Sequence, residues 1–225
     1  MISIIDSYEK LPIGLYLQLC DAEGNQTEDL DIAVTRIAIL TGLTEREVLN
    51  LDLNTFSDLN QKAKFVERDA PITRIKDQYE VSGYTLVTCK DIRKMTTGQY
   101  IDYQAYSKEA DKYIVDILSC FLVPKGMKYN DGYDIEDVKN KIREELTVTD
   151  VNALSGFFLH SLIASIEASL SCSERAAKRM KNSPKKTELL RQIAQQRALL
   201  RNGDGYDSLT WSQKLREIGG VASLK

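Results

Sequence analysis

The chain has 225 residues, of which 43% are hydrophobic and 28% are charged, and these fractions are typical of a soluble globular protein with its own core. Its 30 basic and 33 acidic side chains give a formal net charge of -3, which disfavours nucleic-acid binding over the whole surface. No apolar run approaches the roughly 18 residues of a membrane span, and residues 1–6 lack the basic start and long apolar stretch of a signal peptide.

The chemistry-bearing residue types are few. The four cysteines are far apart and form no C-x-x-C pair, so we expect no zinc site, and Cys20 and Cys120 stand among apolar residues, where a thiol behaves as a small buried hydrophobe. The single histidine, His160, has no nucleophile at an activating spacing and is interpreted as a packed or rim residue. We therefore expect no catalytic residue, no cofactor and no bound metal.

The first third of the chain predicts short helices. One should open at Pro12, whose missing N–H would be unpaired in a first helical turn anyway. Apolar spacing predicts two more over residues 28–40 and 55–67. Between them Gly42 should end one helix, and the capping box of residues 44–47 should start another. A DNA-binding helix-turn-helix is the alternative interpretation, but its second helix would be acidic, so packing is favoured.

Residues 79–87 alternate around Ser82 and Gly83 and predict a β-hairpin. An isolated hairpin is only marginally stable in water, so it needs a further strand or a helix to pack on. Residues 1–5 are the candidate third strand.

Further along, a capping box at residues 96–99 should open a helix, and an apolar helix over residues 114–122 should end before Pro124. Residues 129–134 form an aromatic, acidic loop, and Asp134 should cap the next helix. Asp150 should cap a long helix that reaches residue 170. The residues predicted to be buried here are Phe121, Leu122, Phe157, Phe158 and Leu162.

A basic run over residues 175–186 precedes a last amphipathic helix over residues 185–201 and a tail that contains the only tryptophan. Large apolar residues on such a tether can serve as an anchor for a partner. The residues expected to bind a partner are Leu209, Trp211, Leu215 and Ile218 of the tail, with Tyr129 and Tyr133 of the loop.

Two stretches, residues 10–19 and 94–103, resemble each other, and the segments after the two stretches are also alike, which predicts an internal duplication. The matched residues pair Lys10 with Lys94, Gly14 with Gly98 and Tyr16 with Tyr100. The predicted fold is mainly α, with two duplicated helical repeats, a small β-hairpin inserted between them, and a C-terminal helix plus tail. The predicted division is repeat 1 over residues 1–70, the hairpin insertion over 71–91, repeat 2 over 92–172, and the basic linker, helix and interaction tail over 173–225.

Residues 39–51, followed by Phe56 and Leu59, resemble the helical core of bacteriophage tail assembly chaperones. The doubled arrangement with its 129–134 loop resembles small proteins in the morphogenesis modules of tailed phages of gut Bacteroidetes. The resemblance implies a non-enzyme that holds a tape-measure protein soluble, in the host cytoplasm, until tube subunits assemble around it. It implies tape-measure or tube proteins as partners; a second copy of the chain is a further candidate partner, and neither a membrane nor nucleic acid is expected.

Three alternatives stay open at this point. The protein could be a structural virion component, such as a connector or tail-completion subunit. It could be an enzyme that uses a divalent cation bound by Asp131, Asp134, Glu136 and Asp137, although two of these carboxylates also suit a helix N-terminus. It could bind nucleic acid through the basic run, although no aromatic residue interleaves those cations.

Overall fold

The computed structural model describes residues 2–24, 28–71, 73–110, 112–181 and 183–201, with side chains described except at positions 24, 158–168 and 196–201. The fold is mainly α, as predicted. The helices are α1 (Ile13–Gly24), α2 (Asp29–Thr41), α3 (Glu45–Leu49), α4 (Leu53–Ala63), α5 (Thr97–Tyr106), α6 (Ile114–Phe121), α7 (Ile135–Glu145), α8 (Val148–Arg179) and α9 (Pro184–Arg201). The strands are β1 (Gln78–Val81), β2 (Tyr84–Thr88) and β3 (Leu122–Pro124), and single turns of 3-10 helix lie at Lys64–Glu67, Ile92–Lys94 and Ser107–Glu109.

The chain forms two compact units. Unit 1 contains residues 1–88 and 118–154, and unit 2 contains residues 89–117 and 155–225. The predicted second repeat therefore contributes to both units. Each predicted repeat contains four helices, α1 to α4 in the first and α5 to α8 in the second, with β3 between α6 and α7. The duplication and its domain boundaries stay predictions.

Local capping explains where several helices begin and end. Gly42 adopts the left-handed conformation (φ 75°) and donates its N–H to the carbonyl of Ala38, which closes α2. The capping boxes that open α3 at Thr44 and α5 at Thr96 are both confirmed. Asp134 accepts hydrogen bonds from the first turn of α7, also as predicted.

Other helix boundaries differ from the prediction. α4 begins at Leu53, two residues before the predicted start at residue 55, because the Asp52 carboxylate accepts the N–H groups of Asn54 and Thr55. α1, which was predicted to open at Pro12, begins at Ile13 and continues to Gly24. The start of α4 therefore depends on which neighbouring polar residue takes the capping position.

The start of α8 is a second correction. The helix begins at Val148, and Thr147 takes the capping position that was predicted for Asp150. The Thr147 hydroxyl accepts the N–H of Asp150 at 3.3 Å and donates to its carboxylate at 3.0 Å. α8 then runs to Arg179, beyond the predicted end at residue 170.

The hairpin is confirmed, and it belongs to a three-stranded antiparallel sheet of order β1-β2-β3. The prediction that residues 1–5 supply the third strand is wrong. β3 pairs with β2, while Ile5 donates its N–H to the carbonyl of Leu40 beside the end of α2. Since Pro124 disfavours helix at the residue before it, the chain leaves α6 in an extended conformation and can join the sheet.

The core of unit 1 lies among α1, α2, α3 and α4. Its buried members include Tyr8, whose hydroxyl donates to the carbonyls of Val66 and Arg68, each at 2.9 Å. Arg36 is buried beside this core and is paired with Glu23 at 2.8 Å and with Glu67 at 2.6 Å. The apolar core residues are Tyr8, Leu11, Leu19, Val34, Ile37, Ala38, Leu40, Val48, Leu59, Ala63 and Val148.

The backbones at the starts of α1 and α8 exchange two hydrogen bonds. Ile13 donates its N–H to the carbonyl of Leu146 at 2.8 Å, and Val148 donates its N–H to the carbonyl of Leu11 at 2.9 Å. The first N–H groups of a helix have no partner within it, so each helix start gains an acceptor from the chain that leads into the other. This exchange fixes the start of α1 against the α7–α8 connection within unit 1.

The predicted buried residues are confirmed in part. Phe121 and Leu122 are fully buried, whereas Phe157 is only half-buried, so that part of the prediction is wrong. The side chains of Phe158 and Leu162 lie outside those the structure describes, as does that of His160. Cys120 is buried as predicted, but Cys20 is exposed, on the solvent side of α1. Among the described helices, none is both long enough and apolar enough to cross a membrane.

Candidate functional site

The α3–α4 corner, residues 44–54 of unit 1, exposes two large apolar side chains. α3 has only five residues, and Val48 points into the core with 1% of its surface exposed. Successive helical residues point about 100° apart, so Leu49 faces outward and is 66% exposed. Leu53, the first residue of α4, is 85% exposed. The corner therefore presents two leucines to solvent, four positions apart in the chain.

Two carboxylates of α3, those of Glu45 and Glu47, lie near these leucines in the sequence. The Glu45 carboxylate accepts a hydrogen bond from the Thr35 hydroxyl at 2.6 Å. Glu47 accepts the N–H of Thr44 at 2.8 Å and its hydroxyl at 2.7 Å. The hydrogen bond from the Thr44 backbone, followed by that from its hydroxyl, lowers the pKa of Glu47. Both glutamates are held by neutral donors, so their charge is not offset by these bonds.

The third carboxylate of the corner is that of Asp52, the residue before Leu53. Its carboxylate accepts the N–H groups of Asn54 at 3.1 Å and Thr55 at 3.0 Å and the Thr55 hydroxyl at 2.6 Å. These bonds, with the Thr55 hydroxyl first, lower the pKa of Asp52, so it stays ionised well below neutral pH. With three acidic side chains against Arg46 alone, the corner carries a formal charge of -2.

Sequence reasoning did not predict this corner as a site. Leu49, Leu51 and Leu53 look alike in the sequence, but Leu51 packs against the core while the other two are exposed. The available signal was the length of α3, because a helix of five residues has only one short inward face, and Val48 occupies it. The predicted start of α4 at residue 55 hid the fact that Leu53 stands in a first helical turn.

The two tyrosines expected to bind a partner lie in the turn between β3 and α7, and both are half-buried. The Tyr129 hydroxyl lies 3.6 Å from the Cys120 sulfur. The Tyr133 hydroxyl accepts the N–H of Asn130 at 3.2 Å, and burial raises the pKa of Tyr133. These contacts tie both rings to the loop and to the end of α6, so only part of each ring is available to another molecule.

Two of the acidic residues proposed as cation ligands, Asp134 and Asp137, make contacts within the fold. The Asp134 carboxylate caps α7 by accepting the N–H of Glu136 at 2.9 Å and that of Asp137 at 3.4 Å. A hydrogen bond to Asp137 raises the pKa of Tyr84 on β2. Within the part of the chain that the structure describes, no three His, Cys, Asp or Glu side chains converge as they would around a metal ion.

The basic run closes the end of α8. The Lys186 ammonium donates to the carbonyls of Lys178 at 3.4 Å and Met180 at 3.1 Å, and Lys178 pairs with Glu174 at 2.6 Å. Cations near the last carbonyls of a helix are favoured by the helix dipole. Part of this run is therefore explained by helix capping.

Other exposed large apolar residues are scattered over the described surface. In unit 2, α5 exposes Tyr100 at 45% and Ile101 at 58%. In unit 1, Leu30 and Met127 are 61% and 43% exposed. The predicted anchors Leu209, Trp211, Leu215 and Ile218 lie outside the described residues.

No model of a protein family, no characterised protein and no solved structure matches this chain.

Proposed function

We propose that this protein is a non-enzymatic phage assembly protein that binds other phage tail proteins, as a tail assembly chaperone does. One observation carries the proposal. The stretch that resembles those chaperones, residues 39–51, leads into the α3–α4 corner, where Leu49 and Leu53 are 66% and 85% exposed. The surface available for a partner thus lies in and beside the stretch on which the resemblance rests.

Exposed leucines are costly in water, at about 25 cal/mol for each Å² of apolar surface. A partner that covers Leu49 and Leu53 recovers that free energy without any change in the core of unit 1. Two leucines alone are too small for a stable interface, which buries on the order of 1,200–2,000 Å² in total. The corner is therefore the apolar centre of a larger contact.

In this proposal the protein acts in the host cytoplasm while the tail is assembled. Its partner is a tape-measure or tube protein whose own apolar surface would otherwise be exposed before assembly. The corner would cover that surface and release it when tube subunits take its place.

The experiment is co-purification from cells that express the full chain together with the tape-measure and tube proteins of the same genome. Wild type should retain at least one of them. Leu49→Ser with Leu53→Ser should lose it, while the control Ile101→Ser, at a position of similar exposure in unit 2, should retain it. Equal recovery of the tail protein with wild type, the double variant and the control would show that the corner does not bind it. If wild type recovers no tail protein, the proposed function is wrong.

The C-terminal tail is a second predicted contact. Deletion of residues 203–225, followed by the same co-purification, measures how much the tail contributes to partner binding. Loss of the partner with unchanged thermal unfolding would place Leu209, Trp211, Leu215 and Ile218 in the interface. A retained partner with a lowered unfolding temperature would instead assign the tail to the stability of the fold.

A further inference from the structure

Resting on the proposed function, we infer that the α3–α4 corner binds a cationic amphipathic segment of its partner. The apolar residues of that segment cover Leu49 and Leu53, and its lysine or arginine side chains face the carboxylates of the corner. The carboxylates are those of Glu45, Glu47 and Asp52.

The charge of the corner supports this partner chemistry. Among the described residues, none of the three carboxylates forms an ion pair with a lysine or arginine, whereas Asp58 on α4 is paired with Lys62 at 2.7 Å. Each carboxylate oxygen can accept more than one hydrogen bond, so the bonds already made leave acceptor capacity. A cationic partner would meet a formal charge of -2, and an anionic one would be repelled.

The geometry of the corner is also fixed before binding. Glu47 is held by the capping box of α3, Asp52 by the first turn of α4, and Glu45 by the Thr35 hydroxyl of α2. Side chains that are already ordered lose little conformational entropy when a partner arrives. The lowered pKa values of Glu47 and Asp52 keep both ionised at the pH of the cytoplasm.

The same features disfavour other partners. Nucleic acid and anionic lipid surfaces carry phosphate charges that three carboxylates repel. A purely apolar segment would cover the leucines but would face charged side chains around them without compensation. An amphipathic segment with cations at its rim satisfies both parts of the corner.

The probe is a synthetic amphipathic helical peptide of leucine and lysine, with a leucine–glutamate peptide of the same pattern as its counterpart. Binding to the full chain is measured by fluorescence anisotropy at low and at physiological salt. We expect the lysine peptide to bind more weakly as salt is added, because exposed ion pairs are screened. The glutamate peptide should not bind.

The decisive variant replaces Glu45→Gln, Glu47→Gln and Asp52→Asn together. Glutamine keeps the capping box and asparagine keeps the helix cap, so the three hydrogen-bonded positions persist while their charges disappear. We expect the affinity for the lysine peptide to fall about tenfold through the loss of three exposed ion pairs.

A second triple variant is the charge-matched control. Glu109→Gln, Glu136→Gln and Glu144→Gln remove the same net charge at positions where the side chains are 66% to 70% exposed. This variant should bind the lysine peptide as wild type does. If it loses as much affinity as the corner variant, or if neither loses any, the inference is wrong.

Two comparisons distinguish failure of the cationic-partner inference from failure of the proposed function. If the Leu49/Leu53 variant loses the tail protein while the corner charge variant keeps it, the function stands and the cationic partner does not. If the peptide binds as expected but no tail protein co-purifies, the corner chemistry stands and the function does not. If analytical ultracentrifugation shows that wild type self-associates and that the corner charge variant does not, the occupant is a second copy of this chain, and a separate partner is excluded.

Discussion

Gly14 on α1 lies against the backbone of Arg143 on α7, so closely that a Cβ atom on Gly14 would stand 2.8 Å from the Arg143 carbonyl oxygen. It would also stand 2.6 Å from the Cγ atom of the same residue. The contact lies beside the backbone exchange between Ile13 and Leu146. α1 can approach α7 this closely only because residue 14 has no side chain.

Gly14→Ala should lower the free energy of unfolding by about 1–3 kcal/mol, because the obstacle is a backbone carbonyl that cannot move aside cheaply. Gly98, its counterpart in the predicted second repeat, is the matched control. A Cβ atom there would meet nothing within 4 Å, and Gly98 lies inside α5. Gly98→Ala should therefore raise the free energy of unfolding by about 0.5–1 kcal/mol.

Urea unfolding of the two variants, followed by circular dichroism, measures both effects. Opposite signs are the expected result. If Gly14→Ala were as well tolerated as Gly98→Ala, the close approach of α1 and α7 would be wrong.

Tyr8→Phe tests the buried hydroxyl in the core of unit 1. Removing the donor to the Val66 and Arg68 carbonyls should cost about 1–2 kcal/mol at neutral pH. Burial, the largest cause, raises the pKa of Tyr8 from 10.0 to about 12. Below pH 10 the folded and unfolded chains both keep this proton, so the contribution to stability is complete.

Between pH 10 and about 12 the unfolded chain loses the Tyr8 proton while the folded chain keeps it. The stability that this group contributes therefore falls as the pH rises through that window. Unfolding measured at several pH values from neutral to alkaline should show a shallower alkaline loss in Tyr8→Phe than in wild type. Identical slopes would show that the Tyr8 hydroxyl is not buried.

Thr149→Val tests a buried polar atom in the first turn of α8. Thr149 is 6% exposed, and its hydroxyl oxygen has no hydrogen-bond partner among the described residues. Valine has the same shape without the polar atom, so the variant should gain about 1 kcal/mol in the free energy of unfolding. The control is Thr147→Val, which removes the cap of α8 and should lose about 1 kcal/mol. A loss in both variants would mean that the Thr149 hydroxyl is satisfied.

The features that the sequence predicted correctly are those decided by residues close together in the chain. The capping boxes at Thr44 and Thr96 and the turn at Gly83 depend on contacts within a few residues, and all three are confirmed. The third strand was mispredicted because its pairing joins β2 to a segment more than thirty residues away along the chain, with Leu86 opposite Pro124. The apolar character of residues 1–5 gives no information about which segment reaches the sheet.

The matched glycines illustrate the same limit of sequence reasoning. Gly14 and Gly98 occupy equivalent places in the repeated pattern, yet one faces a backbone and the other faces open space. The sequence likewise does not decide which leucine of the corner is exposed, because whether Leu49 or Leu51 faces the core depends on how α3 packs. A repeated sequence pattern predicts which secondary-structure elements form. The residues that contact each position are decided by tertiary packing.

The proposed binding of a phage tail protein at the α3–α4 corner is tested by the soluble fraction of the tape-measure protein when it is co-expressed with this chain. We predict that wild type and Ile101→Ser raise that fraction and that Leu49→Ser with Leu53→Ser does not. Circular dichroism should show that this double variant is folded. If the double variant raises the soluble fraction as much as wild type does, or if wild type does not raise it, the proposed binding at the corner is contradicted.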